Sequence, residues 1–228
     1  MKNIHYTDAT GYYFSTLRLR DALPESFGQN LRLQYYSAQM RLAGHPQREV
    51  LLQQTRKRLF QRYEQQLLLE QGGIPLFRSL SPAKWMAEVL RKYDAIRGFA
   101  ILPNHLQVLT GLPAPTNAKT AELESLPCPP LRQLLSQLQA DTEAALCRLR
   151  LPLSETSNAA AFQLKHKSGV PCRERPLWHS ETFDFYLPHR DALKNAVQHL
   201  LHSAVKAPPG EECRDWPYLY LKSPVLRA

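Results

Sequence analysis

An α+β fold, built on a ferredoxin-like antiparallel sheet with packed helices, is the class that three observations predict. Strand-like and helix-like segments run in the order strand, helix, strand, strand, helix, strand, helix once one long helical stretch is set aside as an insertion after the first strand. Two strand-like segments, 97–102 and 105–112, are separated only by Pro103-Asn104. With 228 residues, 43% of them hydrophobic, the chain can bury one good-sized core, and it has no internal repeat.

Each element has a local reason. "GYYFSTLRLR" (11–20) is aromatic and β-branched, with Tyr13, Ser15, Leu17 and Leu19 on one parity, and Asp21 to Pro24 close it. Residues 31–72 form the helical insertion: Leu52, Leu59, Tyr63 and Leu67 recur at helical spacing, Gly44-His45-Pro46 interrupts, and Gly72-Gly73 stops it. In "SPAKWMAEVLRKYD" (81–94), Ser81 suits an N-cap, Pro82 the first helical position, and Trp85, Val89 and Tyr93 share one face. After the strand pair, 113–130 is a Pro-rich connector and 131–150 an amphipathic helix. "PLWHSETFDFYLP" (176–188) holds an aromatic strand and 189–207 a helix. Pro208-Pro209-Gly210 ends that helix and opens a docked C-terminal tail, 208–228. The whole is read as a single domain, with Trp85, Trp178 and Trp216 as core or docking aromatics.

A formal net charge of +9 favours a polyanionic partner, nucleic acid first. Cations concentrate in "REVLLQQTRKRLFQRYEQQ" (48–66), where a solvated helix face is the ordinary reading. They concentrate again in the loop-like "KHKSGVPCRERP" (165–176), whose Lys165, Lys167, Arg173 and Arg175 could reach a phosphate backbone. Arg18, Arg20 and Lys206 are further candidates for DNA contact, with solvent as the alternative for the two strand arginines. Cys128, Cys147, Cys172 and Cys213 lack metal-site spacing and read as reduced thiols. No apolar stretch is long enough to span a bilayer and the opening lacks a secretory h-region, which predicts a cytoplasmic protein with no membrane partner.

The chemistry turns on "ILPNHLQVL" (101–109). In an extended chain His105 and Gln107 share one face and Leu106 and Val108 the other. Such a pair is either a divalent-metal site or the solvent face of an ordinary strand.

Four segments, in order along nearly the whole chain, carry a resemblance: "YYFSTLRLRDALP" (12–24), "ILPNHLQVL" (101–109), "LWHSETFDFYLPHRDAL" (177–193), and "HLLHSAVKA" (199–207) with "DWPYLYL" (215–221). They resemble the REP-associated tyrosine transposases, bacterial enzymes that act on single-stranded DNA hairpins. The resemblance implies two histidines one residue apart on a strand holding a divalent metal, magnesium or manganese. It also implies a tyrosine nucleophile on a facing helix and, four residues on, an Asn or Gln as third ligand. Here His105 matches the first histidine, while the second becomes Gln107, whose amide oxygen can still ligate a hard cation. His199 stands at the nucleophile's position and Ser203 at the third ligand's, with Ala204 for the proline that follows. An imidazole does not reproduce a phenolate's reach or leaving-group behaviour, and Tyr186, the nearest upstream tyrosine, lies before the helix. His199 and His202, one turn apart, read as interface or surface histidines rather than a rebuilt metal pair.

These readings predict a DNA-binding descendant of that family, recognising single-stranded or hairpin DNA, with strand cleavage lost. The alternatives are an active metal-dependent nuclease or transposase using His105 and Gln107, and a non-catalytic RNA- or protein-interaction module on the same scaffold.

Overall fold

In the computed structural model, the residues described are 10–69, 76–78, 80–113, 129–148, 177–206 and 219–222. Most of the Pro-rich connector, the basic loop 165–176, and the tail apart from residues 219–222 lie outside them.

The chain divides into two compact units, residues 20–74 and the remainder. The larger carries a five-stranded sheet of β1 (Thr10–Leu19), β2 (Ile96–Leu102), β3 (His105–Pro113), β4 (Trp178–Leu187) and β5 (Leu219–Leu221). Its order is β4-β1-β3-β2-β5, with every pair antiparallel. The first four strands have the ferredoxin-like arrangement, and β5 extends it beyond β2.

Register sorts the side chains into two faces. Opposite partners share a face, so Leu17, Leu106 and Ile101 belong to one, and Arg18, His105 and Leu102 to the other. Both faces are covered. Arg91 at the end of α3 (Leu80–Arg91) lies 5.5 Å above the ring of Tyr220, which stacks on Phe99, so α3 packs on the Leu17 face. The helix α4 (Pro129–Arg148) joins α3 through a hydrogen bond from Tyr93 to Asp141. It also holds the start of β4, where the Trp178 indole donates to Thr142 Oγ1 at 2.8 Å. The opposite face carries α5 (Arg190–Lys206): His199 meets Phe14 edge-on at 5.5 Å. Three layers result, with Leu17, Leu106, Val108, Phe99 and Ile101 all sealed from solvent in the central sheet.

Gly98 marks where β5 presses closest. A Cβ there would lie 2.6 Å from Leu221 Cδ2 and 3.0 Å from the Tyr220 carbonyl oxygen, with Leu200 Cδ1 of α5 at 3.6 Å. Gly98→Ala should therefore displace β5 and cost about 1–3 kcal/mol. Urea unfolding checks it: an unchanged midpoint would mean that β5 yields freely.

The smaller unit is a helical hairpin of α1 (Glu25–Arg41) and α2 (Arg48–Leu69), the insertion after the first strand. Leu31 and Ala38 of α1 and Leu52, Leu59, Tyr63 and Leu67 of α2 are buried. Gly44, with φ +81°, turns the chain between them, a conformation costly for a side chain with a Cβ. No helix among the described residues is long and apolar enough to cross a membrane.

Several element bounds differ from the sequence reading, two of them at helix starts that change which residues cap the helix. The hairpin starts at Glu25 rather than 31, with Pro24 at the N-cap position. Likewise α3 starts at Leu80, so Ser81 lies inside the first turn and Tyr93 beyond the end.

Candidate nucleic-acid site

β3 begins at His105 because the chain reverses through Pro103-Asn104, with Leu102 paired to His105 across the turn. Neighbours hold that turn by its carbonyls: Leu19 N–H donates to Asn104 O at 3.0 Å, and Phe77 N–H to Pro103 O at 3.1 Å. From this fixed start, alternation puts His105 and Gln107 on the face toward α5. β1 adds the residues opposite them, Arg18 across from His105 and Thr16 across from Gln107.

The row is not a solvent face. Arg18, His105 and Gln107 are each 1% exposed, Thr16 is fully buried, and Ser203 on α5 is 8% exposed. This corrects the reading of Arg18 as a surface contact for DNA: its side chain is buried. Arg20 is exposed, but it lies in the turn after β1 rather than on the strand. Lys165, Lys167, Arg173 and Arg175 fall outside the described residues, as does the side chain of Lys206.

His105 Nδ1 lies 2.8 Å from Asn104 Oδ1. An amide oxygen only accepts, so Nδ1 carries the hydrogen and Nε2 keeps its lone pair. Burial disfavours the charged imidazole and nearby His199 disfavours it further, which together push the His105 pKa down to about 3. His105 is therefore neutral at physiological pH. His199 lies on the same side of the sheet, its ring against Phe14, whose partner Leu109 has the parity of His105.

His199 is half-buried against Phe14, while His202 is exposed with Nδ1 2.7 Å from the Gln198 carbonyl of its own helix. The two do not converge. Tyr186 belongs to the other face, its ring 5.3 Å from Tyr13, and the sheet separates it from His105. Among the described residues no tyrosine shares the His105 side of α5 at position 199.

The implied divalent cation is a poor match for these side chains. Magnesium and manganese take about six mostly oxygen ligands and favour anionic ones. His105, Gln107 and Ser203 offer one imidazole, one amide and one hydroxyl, all neutral, and the Arg18 guanidinium stands in register opposite His105. Among the described residues no three His, Cys, Asp or Glu side chains gather into a metal-holding group.

Thr16 is the member that sequence reasoning missed. Its hydroxyl is buried with no hydrogen-bond partner among the described residues. The signal was available, since Thr16 has the parity of Arg18 on a strand already recognised. The set holds hydrogen-bond donors and one positive charge, all enclosed. It offers neither a phenolic nucleophile nor a carboxylate base.

No protein-family model, no curated protein and no solved structure matches this chain, so its assignment rests on its own residues.

Proposed function

We propose that the protein binds single-stranded or hairpin DNA, descends from a REP-associated tyrosine transposase, and has lost strand cleavage. One observation carries the reading. His105 and Gln107 lie on the face that packs under α5, on the same side of the sheet as His199, which supports the resemblance, while the side chains present lack the chemistry for cleavage. The strand residues are sealed, His105 is neutral, and imidazole and hydroxyl side chains replace the nucleophile and the third ligand. The net charge of +9 supports a polyanionic partner.

An active nuclease is the second reading, favoured by the bare Nε2 of His105. It needs a phosphate to reach a buried row and to bring the anionic ligands that the row lacks. Binding and nicking of one hairpin oligonucleotide, measured side by side in magnesium or manganese, separate the two. Binding without nicking supports the proposal; metal-dependent nicking supports the alternative.

A further inference from the structure

The exposed face of α2 is unusual for a solvated helix. Between residues 50 and 65 its exposed positions hold Lys57, Arg58 and Arg62, four glutamines and Val50. The only acid in that stretch, Glu64, is 7% exposed and on the buried side. A solvated helix face ordinarily mixes signs at i, i+4 spacing to stabilise itself. Here Lys57 and Arg58 form no ion pair among the described residues, and Arg62 donates only to the Gln34 amide of α1, at 3.2 Å. Among the described residues these three cations have no acidic partner, and they stand on helical spacing with neutral amides between them.

We propose that this face of α2 lies against the phosphate backbone of duplex DNA, as a second contact separate from the sheet. The chemistry fits. Three cations spread over roughly 8 Å of helix axis can meet two or three phosphates, since α-helices rise about 1.5 Å per residue. Glutamine amides add neutral donors for phosphate or base edges without opposing charge. Under the DNA-binding reading, the natural duplex is the stem of the hairpin. The inference rests on that reading for its target but not for its surface.

The test uses the full chain and two variants. Lys57→Gln/Arg58→Gln keeps the Arg62–Gln34 hydrogen bond, and Lys57→Gln/Arg58→Gln/Arg62→Gln removes all three charges. Glutamine is a good helix former, so equal thermal melting to wild type establishes that each variant is folded. Probes are a hairpin with a long stem, the loop sequence as a single strand, and a random duplex, each titrated across salt. Loss of three charges should lower the magnitude of the log–log salt slope for stem and duplex by about 2–3. Low-salt affinity for both should fall at least tenfold, with single-strand affinity nearly unchanged. Unchanged duplex and stem binding in the triple variant would overturn the inference while leaving hairpin recognition intact. Wild type that binds duplex through α2 but shows no hairpin or single-strand preference would uphold this surface and sink the broader reading. Wild type that binds none of the three probes would overturn both.

Discussion

Lowering the pH from neutrality to about 4 should destabilise the protein by several kcal/mol, and His105→Asn should remove much of that dependence. In the native state His105 resists protonation until about pH 3 because it is buried and faces His199. In the unfolded chain an ordinary histidine takes its proton near pH 6.5. Between those two values the unfolded state binds more protons, so stability rises with pH through that window. The contribution is complete above about pH 6.5 and drains away as the pH falls toward 3. Asparagine keeps an amide donor for Asn104 Oδ1 and does not titrate. Carboxylates elsewhere also titrate in acid, so the informative quantity is the difference between wild type and variant in urea-unfolding free energy at each pH. Parallel curves would show that His105 protonates freely in the folded protein.

Wild-type protein should form no covalent adduct with a single-stranded hairpin oligonucleotide in magnesium or manganese, whereas Gln107→His/His199→Tyr/Ser203→Asn should gain one. A phosphotyrosine needs a phenolic oxygen in line with a polarised phosphate, and under the transposase reading three positions depart from the family's residues together. Groups that act as a unit fail as a unit, so His199→Tyr alone should leave the protein inactive. Under the transposase reading, the triple variant supplies a phenol, a second imidazole and an amide ligand on a scaffold whose β3 faces α5. A denaturation-resistant, slow-migrating band for the triple variant and none for wild type is the expected gel. A wild-type band would mean that an unrecognised group attacks the phosphate.

Alternation along strands was the most legible feature of the sequence. The parity of Tyr13, Ser15, Leu17 and Leu19 holds, and His105 and Gln107 do share a face. Their burial was not legible. A polar–apolar alternation looks the same whether its polar side meets water or a helix, and only the placement of α5 decides between them. Arg18 shows the same limit, since nothing local marks an arginine that will be buried. Helix starts were missed for a different reason. "ESFGQN" (25–30) contains Gly28 and Asn30, poor helix formers, yet α1 includes them. The basic face of α2 was visible as a run of cations, but the lack of exposed acids after Glu49, between residues 50 and 65, needed the burial of Glu64.

Equilibrium binding of wild-type protein to a hairpin oligonucleotide, in chelator and across a salt series, tests the central claim most directly. The account predicts that the hairpin binds more tightly than random duplex without any divalent metal, and that affinity falls steeply as salt rises. Equally weak binding of hairpin, single strand and random duplex at low salt would contradict it.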